Sequence, residues 1–146
     1  IKIRHTGLVT SDLKKSLIFW NKILKFKVKK RAIEKGILID KIMEYKSVKV
    51  ETLKLSDDHG CLLELLHFKN PPSKKRNVLK PYSIGFTHIS ISVKDILKVY
   101  KILKKNRIKF NSEPLKSADG KVLMTYCKTP EGAYLELVQE INKNAY

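Results

Sequence analysis

Two hexapeptides, GCLLEL at 60–65 and GAYLEL at 132–137, share the pattern Gly-x-x-Leu-Glu-Leu and place Glu64 and Glu136 72 positions apart. An earlier pair behaves the same way. HTGLVTSDLKKS opens at His5 and HISISVKDILKV opens at His88, 83 positions later. In both, a histidine starts a strand-like segment, an aspartate follows seven residues on (Asp12, Asp95), and a lysine-rich amphipathic helix comes next. One supersecondary unit is therefore used twice, and self-similarity of this kind sets the architecture before any local preference is weighed.

The order of elements follows from periodicity. Residues 2–9 read as a strand, and Ser11 or Asp12 caps a helix to about residue 24, with Leu13, Leu17, Trp20 and Leu24 as its buried stripe. FKVKKRAI, VKVETLKL and CLLELLHF read as strands, SDDHG as a turn, and ILIDKIMEY fits either helix or strand. The second copy gives a strand at 85–93, a helix at 95–106, and strands at IKFNS, VLMTYCK and AYLELVQE. KNPPSKKRNVLKPYS, with three prolines and no periodicity, joins the copies. The expected organisation is a βαβββ module at 1–68, a linker at 69–83, a second βαβββ module at 84–141 and a tail at 142–146.

Composition bounds the function. With 146 residues and 42% hydrophobic content the chain can bury one shared core. It has no 18-residue apolar run and no charged-then-apolar leader, so neither a membrane span nor a signal peptide is expected. Cys61 and Cys127 form no CxxC, and a reduced, cytoplasmic setting is the default, with both as bystanders. The net charge of +17 favours anions. Only four of the basic residues are arginine, and the lysines are spread along outer helix faces, so no nucleic-acid partner is expected; an anionic small substrate would profit from the same field.

Strand parity brings the repeated residues onto one face. In HISISV, His88 shares a face with Ser90 and Ser92, while Ile89, Ile91 and Val93 face the helix. In AYLELV, Leu135 and Leu137 belong on the helix side and Glu136 on the other. The histidine and glutamate of a module thus share a face, and if the two modules pair, His5, Glu64, His88 and Glu136 can converge. His59, in a turn, and His67, on the face opposite Glu64, have no such repeat and read as surface residues.

The module order, the histidine opening each module, the helix entries at SDLKKS and KDILKV and the closing PEGAYLEL resemble the vicinal oxygen chelate superfamily, which includes glyoxalase I, methylmalonyl-CoA epimerase, extradiol dioxygenases and fosfomycin-resistance enzymes. The resemblance implies an α+β fold of two tandem βαβββ modules, a curved eight-strand sheet around a shared metal cleft with helices outside. It also implies a divalent metal ion on His5, Glu64, His88 and Glu136, a set similar to that of bacterial glyoxalase I. Nickel, cobalt, zinc or manganese suits mixed imidazole and carboxylate ligands; iron(II) fits if one glutamate is not a ligand. The activity implied is a metal-dependent isomerase, lyase or epimerase in which Glu64 and Glu136 act as ligands and acid/base on a proton α to a carbonyl. An extradiol-type ring-cleaving dioxygenase and an antibiotic-resistance or binding protein of the same fold are the alternatives. The partners expected are a small-molecule substrate and a second copy in a homodimer.

Overall fold

The computed structural model describes residues 3–74 and 80–141. The first residue of the expected opening strand, part of the linker and the 142–146 tail lie outside the described residues. The chain divides into two compact units, Ile1–Arg76 and Asn77–Tyr146. Unit 1 contains β1 (Thr6–Val9), α1 (Leu13–Leu17) with a π-helical continuation (Ile18–Ile23), β2 (Lys27–Lys35), α2 (Ile37–Met43), β3 (Lys49–Ser56) and β4 (Leu62–Asn70). Unit 2 contains β5 (His88–Ser92), α3 (Ile96–Lys105), β6 (Leu115–Lys116), β7 (Val122–Lys128) and β8 (Tyr134–Glu140). The fold is α+β, and its eight strands form two four-stranded mixed sheets, β1-β4-β3-β2 and β5-β8-β7-β6. In each sheet the first strand runs parallel to the last and every other pairing is antiparallel.

The repeat extends to backbone detail. Asp12 and Asp95 hold extended conformations, φ −137° and −142°, and each carboxylate accepts from the backbone N–H three residues on, Lys15 or Lys98, at 2.9 Å. Each satisfies a donor that the first helical turn leaves open. Gly60 and Gly132, ahead of the two Leu-Glu-Leu segments, have φ of 87° and 88°, where a residue with a Cβ is strained. On the face opposite the repeated glutamates, Leu53, Leu55, Leu63 and Leu65 are buried in unit 1 and Cys127, Leu135 and Leu137 in unit 2. Helices α1 and α3 contact the last strands, β4 and β8. Burying side chains of this size stabilises by about 1.5–3 kcal/mol each.

Three local expectations change. The 12–24 helix loosens after Leu17: Leu24 N–H bonds to Phe19 C=O at 3.0 Å, a five-residue step. The wider winding rotates the stripe, so Leu13, Ser16, Phe19 and Trp20 are buried, while Leu17 and Leu24 are half-buried. Trp20 lies between Phe19 and Phe26, edge to face at 5.1 and 5.4 Å. IKFNS is not a strand; Phe110 makes a lone bridge to Cys127, and pairing resumes only at Leu115–Lys116. Pro114, which has no N–H, interrupts the ladder between them. The ambiguous ILIDKIMEY contains helix α2, because the Asp40 carboxylate accepts from Ser47 and Val48 N–H at 2.8 and 2.7 Å and ties the helix to the loop behind it. Ile39 of α2 packs with Val48, Val50, Leu66 and Phe68. Val50, Leu66 and Phe68 lie on the Glu64 side by strand parity, so α2 adds a wall at one end of that face.

Candidate metal centre

Glu64 sits mid-strand in β4, flanked by β1 on one side and β3 on the other. The registers set Gly7 beside it in β1 and Lys54 beside it in β3. His5 precedes β1 by one residue and shares the parity of Gly7, so its ring reaches the same face. Its Nε2 lies 3.0 Å from Glu64 Oε2, while Lys54 Nζ lies 3.6 Å from Glu64 Oε1. Glu64 is 8% exposed, and a carboxylate that buried, with two leucines on each side in sequence, requires polar partners. The His5 Nδ1 atom is buried and has no hydrogen-bond partner among the described residues.

Unit 2 builds the same pair with different neighbours. The registers set Ser90 and Tyr126 on either side of Glu136. His88 Nε2 lies 3.8 Å from Glu136 Oε2, and its Nδ1 lies 3.0 Å from Thr87 Oγ1. The Tyr126 ring meets the His88 ring edge to face at 5.5 Å and Tyr134 at 6.4 Å, and Lys128 Nζ stands 5.1 Å from the Tyr134 ring centre. Burial, and then a hydrogen bond to Glu136, pushes the Tyr126 hydroxyl above its ordinary pKa, so it stays a neutral donor to the carboxylate.

The structure thus brings His5 to Glu64 and His88 to Glu136, each within its own unit. Among the described residues no third His, Cys, Asp or Glu joins either pair in a group that could hold a metal ion. Two ligands at right angles on one ion, with bonds of about 2.1 Å, lie about 3.0 Å apart. The His5–Glu64 pair already has that separation, and the His88–Glu136 pair at 3.8 Å is wider than that. A ligating imidazole ordinarily donates from its second nitrogen, and Thr87 supplies the acceptor for His88. Among the described residues the buried His5 Nδ1 has none.

Lys54 and Tyr126 were not singled out by the sequence reading. Each lies ten positions before its glutamate, at the same place in a hairpin, and pairing the two hairpins register by register would have revealed both. His59 is exposed in its turn, and His67, half-buried with Lys69 Nζ 3.3 Å from its Nδ1, lies on the face of β4 opposite Glu64 by strand parity. Burial pushes the Cys127 thiol up to about 12, which removes it as a nucleophile. No helix among the described residues is long and apolar enough to cross a membrane.

Residues 2–137 match the family model of the Glyoxalase/Bleomycin resistance protein/Dioxygenase superfamily. The fold is similar to that of a glyoxalase family protein from Bacillus cereus, with a TM-score of 0.89 at 19% identity over 97% of this chain and 95% of that one. It is also similar to a glyoxylase/bleomycin resistance protein/dioxygenase domain from Frankia, with a TM-score of 0.70 at 16% identity over 99% and 95%. The trypanothione-dependent glyoxalase I of Leishmania major aligns with a TM-score of 0.64 at 21% identity over 96% and 87%. No curated protein matches the chain.

Proposed function

The chain belongs to the Glyoxalase/Bleomycin resistance protein/Dioxygenase superfamily, and from that premise we propose that it is a metal-dependent lyase, isomerase or epimerase of the glyoxalase I-like type. The observation that carries the reading is that one strand register delivers a histidine and a glutamate to the same face twice. His5, Glu64, His88 and Glu136 are proposed to hold one divalent ion per chain, with nickel, cobalt, zinc or manganese preferred to iron(II). Such an ion supplies positive charge beside a substrate carbonyl and so favours the anion left when an α-proton departs.

The residues of the chain do the rest. The imidazoles position, since each is held against a carboxylate. Glu64 and Glu136 share the proton work, one as acceptor from the α-carbon and the other as donor to the product carbon or oxygen. Tyr126, beside Glu136 across the ladder, is placed to donate to it. A small-molecule substrate, a cytoplasmic setting and a homodimer are the remaining parts of the proposal.

The test is α-proton exchange without oxygen. A small panel of 2-hydroxy-ketones, hemithioacetals and acyl thioesters is incubated anaerobically in D₂O with metal-loaded protein, and deuterium uptake is read by mass spectrometry. Uptake by at least one compound is expected, falling by about 10²-fold in Glu136→Gln, the usual yield of a positioned general base. Oxygen consumption with a catechol and iron(II), and no exchange, would replace this reading with ring-cleaving dioxygenation. Tight antibiotic binding with neither reaction would replace it with a resistance function.

A further inference from the structure

Lys54 and Tyr126 occupy one position of the repeat, directly across the sheet from Glu64 and Glu136, and they differ in charge. The Lys54 side chain is 28% exposed, against 67% for Lys27 in its ion pair with Asp58 at the sheet edge, so the ammonium is drawn down onto the sheet. It approaches Oε1 of Glu64, while Oε2 faces His5. Both oxygens of this carboxylate are therefore engaged by side chains of the chain itself. Glu136 has a phenol at the matching place and its histidine at 3.8 Å.

We propose that Lys54 is a built-in counter-cation for Glu64, holding that carboxylate in place before a divalent ion arrives and opposing the ion once it does, so that the metal affinity of the chain is set lower than its ligands alone would give. The inference rests on the metal reading above. The physics is one of sign. A dication that takes Oε2 stands a few ångströms from the ammonium on Oε1, and even at the dielectric of water such a repulsion changes an equilibrium about tenfold. Tyr126 carries no such charge, so at this position of the repeat unit 2 sets no cation directly across from its glutamate. A lysine that only supported the position of Glu64 would act in the opposite direction, because its loss would free the carboxylate and weaken metal binding.

The experiment uses the full chain, stripped with chelator and dialysed, and titrates Zn²⁺ and Mn²⁺ against a competing chromogenic chelator at low and high salt. Lys54→Met, which keeps length and removes charge, is expected to bind about tenfold more tightly, with the gain shrinking at 1 M salt as screening sets in. Lys54→Arg should stay within about threefold of wild type. The reciprocal change, Tyr126→Lys, should weaken binding about tenfold, and it decides the matter if Lys54→Met fails to fold by circular dichroism. Metal binding in wild type with equal or weaker affinity in Lys54→Met overturns the counter-cation and leaves the metal reading standing. No metal binding by wild type or any variant overturns both.

Discussion

Unit 1 and unit 2 follow one backbone plan and furnish it differently. Both place the first strand parallel to the last, both cap the first helix with an aspartate, and both turn a histidine toward a central glutamate. The surroundings of that glutamate are not shared. Unit 1 gives it an ammonium and walls the same face with α2; unit 2 gives it the Tyr126 phenol backed by a second tyrosine ring, Tyr134, and no helix at the matching place. His88 has Thr87 for its second nitrogen, whereas the second nitrogen of His5 is buried with no partner among the described residues. The lesson is that the ladder dictates which positions meet, while the residues at those positions remain free to diverge. Duplication supplies the pair and divergence supplies the difference in charge.

The strongest way to break the comparison is to remove one histidine at a time. If both pairs serve one ion, His5→Ala and His88→Ala should each lower divalent metal affinity by more than the 10- to 100-fold typical of a lost outer-shell partner, and the double variant should bind none. Competition titration reads this directly. A loss in one variant only would mean that the two pairs are not equivalent, and a stoichiometry of two ions per chain would mean that they act separately.

A smaller effect distinguishes the cores. In unit 2 a thiol fills the helix side of β7, and its protonated form is favoured to about 12 by burial. Since the folded pKa is raised, the contribution is fully present below about 9, the ordinary thiol value, and is lost as pH climbs toward 12, because the unfolded thiol ionises first. Chemical denaturation across that range should show a steeper decline for wild type than for Cys127→Val. Equal slopes would show that the buried thiol has no part in the alkaline limb.

The smallest effect sharpens the likeness. Asp12→Ala and Asp95→Ala each remove one cap with the same geometry and the same 2.9 Å bond. Each should cost about 1 kcal/mol. Urea midpoints that differ strongly between the two would show that α1, with its π-helical continuation, depends on its cap differently from α3.

The part of this molecule that could be read from its sequence was what the repeat wrote twice. The sharing of a face by His5 with Glu64 and by His88 with Glu136, and the leucines behind the glutamates, follow from a two-residue alternation and a duplicated motif. Of the two caps offered for the first helix, Ser11 or Asp12, the aspartate is the one used. Lys54 and Tyr126 escaped because their role depends on which residue lies across the sheet, a relation that alternation within one strand does not contain. Helix α2 escaped because its stability comes from Asp40 reaching Ser47 and Val48, a side-chain bond outside the helix itself. The misplaced strand at IKFNS had suitable residues but an interrupted ladder, since Pro114 cannot donate.

The parallel seating of first strand beside last has a mechanical meaning. His5 and Glu64 come from opposite ends of unit 1, 59 positions apart, and His88 and Glu136 are 48 apart in unit 2. Any bond that joins such a pair cross-links almost the whole unit into a ring. In the chain-entropy account, closing loops of this size permanently is worth about 4 kcal/mol, because the unfolded chain loses the freedom to let its ends wander. Each His–Glu pair is thus a clasp on its own unit, and whatever fastens it resists unravelling from the ends whether or not any chemistry is done there.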